Sequence, residues 1–296
     1  MLFYRHKIIL ALLQEFGGNL EKIHLQKFLF LFSQEQAEKI YDFVPYNYGC
    51  FSYTANNDLL SMEQKEICSE TDKHIVLNKQ ETNYFDLLKE ADKKILLKIK
   101  KQFGNMSADD LMRHTYINYP YWATKSKKAK ELLTKDEFQK IQSYIPKQDE
   151  ITLLTIGYEG ISLEEYFNRL IKSNVKVLID VRSNAYSMKY GFSRHHLIKR
   201  CNELNIEYLH FSDVGIISEK RQELNTQSDY ENLFAEYRKN VLAKTQNTQN
   251  KIIELLKQKR RIALTCFEKD INCCHRKHLA EKISQLPQFN YKLEHI

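Results

Sequence analysis

The sequence predicts an α/β protein: a Rossmann-like parallel sheet with helices on both faces over residues 150–296, preceded by a mainly helical, winged-helix-like domain over 1–147. Three observations predict it. The second half alternates short, almost continuously apolar runs with amphipathic helical stretches, the pattern of a parallel sheet covered on both sides. The first half shows helical spacing almost throughout. Between them, SYIPKQDEI (143–151) ends a Lys-rich helical stretch with a Pro and several polar residues before a β-branched run begins. At 296 residues the chain is long enough for two domains.

In chain order, Leu2, Ile8, Ile9, Leu12, Leu13 and Phe16 recur at helical spacing, and Gly17-Gly18 stops that helix. Residues 20–39 form a second helix, so densely apolar from Phe28 to Phe32 that it is buried. YDFVPYNYGCFS (41–52) reads as an aromatic loop leading to a short helix near 53–61. His74–Leu77 is a short strand, and helices follow at 82–103, 107–116 and 124–143. Helix, helix, loop, short helix and small β element is the order of a winged helix-turn-helix, which lays one helix in a DNA groove. A plain helical domain for protein contacts has the same order, so the N-terminal domain reads as DNA- or partner-binding.

In the second half, strands are expected at 151–158, 176–183, 206–211 and 260–268, and helices at 161–174, 195–205, 228–259 and 274–286. Ser162, with Glu165 three residues on, has the pattern of a capping box.

Composition narrows the function classes. Eight Gly and four Pro exclude collagen-like and linker-rich chains. No apolar run reaches the roughly 20 residues that cross a bilayer, and Arg5, His6 and Lys7 interrupt the apolar N-terminus, so no membrane partner and no signal peptide are expected. Six cysteines without a CxxC point to a reducing, cytoplasmic setting. The net charge of +7 suits a nucleic acid, DNA first, or a nucleotide, and suits equally a solvated Lys-rich surface. Oligomeric state is not encoded in any pattern.

Ligands of open α/β sheets bind beyond the carboxyl ends of the strands. Those ends carry Gly157, Tyr158, Glu159 and Gly160; Asp180, Arg182, Ser183 and Asn184; His210, Ser212 and Asp213; and Cys266, Glu268, Lys269 and Asp270, with Cys274, His275 and Arg276 opening the next helix. Titratable groups at four strand ends predict an active site. Gly157 and Gly160 suit a tight turn or an anion at a helix start. The dinucleotide fingerprint and phosphate-loop Lys are absent, which argues against NAD and ATP, and no cofactor is expected. Asp180 and Arg182 share a strand face. They form either a structural ion pair, or a phosphate clamp at Arg182 with Asp180 handling a proton. Glu268 is either a salt-bridge partner or an acid, base or nucleophile.

NCCHRKH (272–278) is the most specific local run. A helix N-terminus beside His275 and Arg276 favours a Cys274 thiolate, hence a nucleophile. The alternative is a packing thiol, with His275 and Arg276 binding an anion. A metal on Cys266, Cys273, Cys274 and His275 or His278 fits no standard zinc spacing, so none is expected. IDVR resembles the strand end of rhodanese-type sulfurtransferases. Their reactive Cys begins a loop closed by an Arg, whereas FEKDIN after Cys266 contains none, and that reading is set aside.

TIGYEG, LIDVRSNAYS, YLHFSDVG and ALTCFEKDINCCHRKHLA occur in this order and together resemble the domain-of-unknown-function family 488 over residues 151–286. The resemblance implies a Rossmann-like enzyme whose site includes Gly157, Tyr158, Asp180, Arg182, Glu268, Cys274, His275 and Arg276. Tyr158 departs from the His that many members carry. HLQKFLFLFSQEQ and YDFVPYNYGCFS are similar to Panacea-type antitoxin-like domains, which implies a toxin–antitoxin or phage-defence setting.

The function expected is therefore a nucleic-acid- or nucleotide-directed enzyme that cleaves or exchanges the N-glycosidic bond of a modified base, in phage defence or DNA repair. Glu268, Asp180, Cys274 and Tyr158 are its catalytic candidates. Gly157, Arg182, His210, His275 and Arg276 are its phosphate- or substrate-binding candidates. The alternatives are a non-catalytic DNA-binding, antitoxin-like regulator with a nucleotide-sensing domain, and a Cys-dependent hydrolase or transferase.

Overall fold

The computed structural model describes residues 2–78, 82–217 and 224–296. The chain divides into two compact units, Met1–Ile145 and Pro146–Ile296. Among the described residues, no helix is long and apolar enough to cross a membrane.

The N-terminal unit begins with α1 (Tyr4–Glu15), β1 (Asn19–Glu21) and α2 (Lys22–Glu35). The FLFLF run of α2 is buried all round and centres the core. After α2 the expected aromatic loop folds as a hairpin of β2 (Val44–Tyr46) and β3 (Gly49–Phe51), with Val44 opposite Phe51. Gly49 makes its turn at φ +93, and a Cβ there would stand 2.6 Å from Tyr116. Then come α3 (Tyr53–Glu63), β4 (Cys68–Glu70) and β5 (His74–Leu77). β5 pairs antiparallel with both β1 and β4. The N-terminal unit is thus mainly helical, as expected, with a small three-stranded sheet in the order β1-β5-β4 and the separate β2-β3 hairpin.

Three more helical stretches follow, with two differences from expectation. The expected 82–103 helix is α4 (Glu90–Phe103) alone. α5 (Ala108–Asn118) stands as expected, but 124–143 divides into α6 (Ala129–Leu132) and α7 (Lys135–Ser143). Thr134 caps α7 in a reciprocal capping box with Glu137, so a new helix starts where periodicity alone suggested continuity.

The C-terminal unit is a five-stranded, wholly parallel sheet of β6 (Thr152–Gly157), β7 (Val177–Asp180), β8 (Glu207–His210), β9 (Arg261–Cys266) and β10 (Lys292–His295). Their spatial order is β10-β6-β9-β7-β8. β6 and β9 are buried at every position. α8 (Leu163–Lys172) and α9 (Arg194–Glu203) connect the strands that run from β6 to β8. Ser162 caps α8 by accepting the Glu165 N–H, and Tyr166 donates to Thr265 on the face beneath. α10 (Gln227–Tyr237), α11 (Gln246–Lys259) and α12 (His275–Ser284) pack on the opposite face, against Leu153, Val177, Ile179, Ile262 and Leu264. The expected 228–259 helix is broken by a π-turn at Arg238–Leu242. β10, not foreseen, is a polar edge strand whose alternation is too short to stand out.

Candidate functional site

β6 and β9 lie side by side, yet the chain leaves β6 through α8 on one face and β9 through α12 on the other. Adjacent strands with opposed exits open a crevice at their carboxyl ends. A cavity of about 600 Å³ lies there, lined among others by Tyr158, Arg182, Lys189, Phe267, Glu268 and His275.

The backbone around Glu268 is tightly fixed. Its carbonyl accepts from Arg276 Nη1, while Lys269 O accepts from Arg276 Nη2 at 3.3 Å. Phe267 O takes the N–H groups of Tyr158 and Glu159, at 3.1 and 2.9 Å. The Glu268 carbonyl passes so close to β6 that a Cβ on Gly157 would stand 1.9 Å from it. Two expectations change accordingly. Gly157 gives clearance to a neighbouring peptide. Arg276, expected to grip a phosphate, is buried and spends its guanidinium on the 268–269 backbone.

The Asp180–Arg182 pair takes its structural form. Asp180 is fully buried and accepts from Arg182 Nε at 2.8 Å, Arg182 Nη2, the Arg182 N–H at 3.1 Å and Tyr208 OH at 2.8 Å. Four donors and no path to the cavity leave it holding Arg182, not handling a substrate proton. Arg182 Nη1 donates to Tyr158 OH at 2.6 Å, and Nη2 also reaches the Phe192 carbonyl at 3.0 Å. The guanidinium fork expected to clamp phosphate in bidentate fashion is thus engaged by Asp180, and its Nη1 by Tyr158. Tyr158, expected to stack on a base, already stacks on Phe192 at 4.2 Å, with the Arg182 guanidinium 5.2 Å from its ring centre. Burial pushes the Tyr158 phenol up, and nearby Arg182 pulls it back. Tyr158 and Arg182 therefore form a wall of the cavity.

His210 bonds the Arg182 carbonyl at 2.8 Å and lines an adjoining hollow of about 330 Å³ with His195; Ser183 and Asn184 line both hollows. It is not among the residues that line the cavity around Glu268.

The expected Cys274 thiolate is also overturned. Cys274 is the N-cap of α12, but it is fully buried in the apolar core under that helix. Burial pushes its thiol well up, and neighbouring Cys266 and Glu268 reinforce this against the opposing Arg276. Helix-terminus stabilisation loses to desolvation here. His275 is better placed. Its Nε2 lies 3.0 Å from the Val181 carbonyl and its Nδ1 3.6 Å from Cys266 Sγ, which in turn stands 3.3 Å from Glu268 Oε2. Cys273 instead reaches Asp270, and His278 packs on Phe234.

The loop 184–193 contributes residues that sequence reasoning missed. Lys189 Nζ donates to the Tyr158 and Ile161 carbonyls, each at 2.6 Å, and burial draws its pKa down. Tyr186 and Met188, both exposed, line the same cavity. Their signal was a run of aromatic and basic residues, NAYSMKYGF, inside what looked like a plain connection.

Parallel sheet, opposed crossovers and a polar pit at the crevice define the C-terminal unit as an α/β domain with a cavity at the carboxyl ends of its strands. Residues 162–283, within this unit, match the family model described as domain of unknown function DUF488. Comparison with curated proteins and with solved structures gives no match.

Proposed function

We propose that the C-terminal unit is a nucleotide- or nucleic-acid-directed enzyme of the cytoplasm that hydrolyses an N-glycosidic bond, with Glu268 as its acid–base group. One observation carries this reading: of the two candidate carboxylates, Glu268 lines the cavity, among cationic Lys189 and Arg182 and aromatic Tyr186, Tyr230 and Phe267. Aromatic rings suit the faces of a base, and the cations suit phosphate. With Asp180 sealed, the two-carboxylate arrangement of sugar hydrolases is not available. Glu268 instead takes a proton from water as the water oxygen bonds the anomeric carbon. The departing base leaves with the bond pair and receives that proton. The N-terminal unit would locate DNA, and a base in a duplex would have to be flipped out.

The test is incubation with modified and unmodified DNA and with free nucleotides, followed by nucleoside mass spectrometry. Released base is expected, and Glu268→Gln should slow its release by about 10²–10⁴-fold with the fold unchanged. No released base or altered nucleotide from any substrate would remove the proposal. Salt-dependent DNA binding without turnover would favour a regulator instead.

A further inference from the structure

The geometry points to a metal site of the zinc class at the floor of the cavity, with Cys266 Sγ, Cys274 Sγ and His275 Nδ1 as ligands and Glu268 beside the open fourth position. These three donor atoms lie within 4.8 Å of one another. They come from the end of β9 and from the N-cap and first residue of α12.

One edge of the cluster fits a tetrahedron. With metal–sulfur and metal–nitrogen bonds of about 2.3 and 2.0 Å, the S···N edge of a tetrahedral site is about 3.5 Å. Cys266 Sγ and His275 Nδ1 are 3.6 Å apart. The imidazole is also oriented as a ligand. Its Nε2 faces a carbonyl, which can only accept, so Nε2 carries the hydrogen and Nδ1 turns its lone pair toward Cys266. A backbone carbonyl that fixes the tautomer in this way is the usual outer support of a metal-binding histidine.

Two sulfurs and an imidazole are donors that select zinc over magnesium or calcium. Three protein ligands and one open position belong to catalytic and not structural sites. The open side is given by the cavity, because His275 and Glu268 both line it while the buried sulfurs of Cys266 and Cys274 lie behind them. A metal there would lower the pKa of a bound water. Glu268 Oε2, 3.3 Å from Cys266 Sγ, stands where it can take that proton. The spacing concealed the site, since Cys-x7-Cys-His joins a strand end to a helix start and matches no finger or ribbon pattern. The ligand set does not depend on which bond the cavity acts on.

The experiment is metal analysis of the purified full chain by mass spectrometry, together with absorption spectra after replacement by Co²⁺. About one zinc ion per chain is expected, and Co²⁺ should give a thiolate charge-transfer band and the ligand-field bands of a tetrahedral site. Cys266→Ser and Cys274→Ser should each lose most of the metal, whereas Cys273→Ser, one residue away, should keep it. Wild-type protein without bound metal, or Co²⁺ binding without a thiolate band, would overturn the site, and neither result depends on a variant that folds. Metal retained in both Cys266→Ser and Cys274→Ser would mark it as adventitious and overturn the site equally. Turnover is not read, so failure here leaves the glycosidic reading to its own assay.

Discussion

Each unit buries one aspartate under an arginine fork, and the two forks end in different surroundings. In the N-terminal unit Asp58 of α3 accepts from Arg5 Nε and Nη2 at 2.6 and 2.9 Å and from Tyr41 OH at 2.8 Å. In the C-terminal unit Asp180 accepts from the same two nitrogens of Arg182 and from Tyr208. The carboxylates are alike, at 2% and 0% exposed side chain, but Arg5 is 38% exposed and Arg182 only 6%. Arg5 therefore staples α1 to α3 with its outer edge in water. Arg182 is a sealed cation whose remaining donors build a cavity wall. The same residue pair becomes a staple or a wall according to what surrounds the guanidinium.

Removing each aspartate should break the likeness. Asp180→Ala strands a sealed cation and should cost about 3–5 kcal/mol. Asp58→Ala lets Arg5 turn to water and should cost only about 1–3 kcal/mol. Urea unfolding separates them, because the single tryptophan, Trp122, lies in the N-terminal unit. Its fluorescence should follow Asp58→Ala, while Asp180→Ala should appear in the far-ultraviolet circular dichroism. Equal losses would erase the distinction.

Exchanging the fork for a point charge sharpens it. Arg182→Lys keeps the charge but loses the two-pronged grip on Asp180 and the Tyr158 contact, at a cost of about 1.5–3 kcal/mol. Arg5→Lys should cost less than about 1 kcal/mol, as partly exposed pairs do. Thermal unfolding of the two variants would show whether the lysine series keeps this order.

A further contrast is a pH dependence that arises in the N-terminal unit. Burial pushes the Cys68 thiol up from 9.0 to about 11. The folded chain then holds a proton that the unfolded chain releases. This contribution to stability is complete below pH 9 and is lost as pH rises through about 11. Cys68→Ala should flatten part of that alkaline loss in the Trp122 signal. Identical slopes with and without the thiol would show that another group sets it.

Much of this was legible in the residues. Apolar runs alternating with amphipathic stretches disclosed the parallel sheet, and the carboxyl-end rule then brought out Tyr158, Arg182, Glu268 and His275 without coordinates. What stayed hidden was direction and competition. Arg276 has the chemistry of a phosphate ligand, and only the path of the 267–269 backbone shows that peptide carbonyls claim it first. Cys274 sits at a helix start, yet the apolar helices packed over it decide its protonation. Cys266 looked like the last residue of a strand, and the sulfur beside His275 became apparent only once α12 was folded back. Strand β10 escaped because four residues at a sheet edge leave too short a pattern.

Gly157 carries a consequence for how this part of the molecule could change. A methyl group there would meet the Glu268 peptide oxygen at 1.9 Å, and backbone cannot swing aside as a flexible side chain can. Alanine would therefore lift the whole 267–269 crossing away from its neighbouring strand and carry the glutamate outward with it. The depth of the pit is set by an absent carbon atom, and filling that gap would spoil the alignment of the floor before it unfolded the domain.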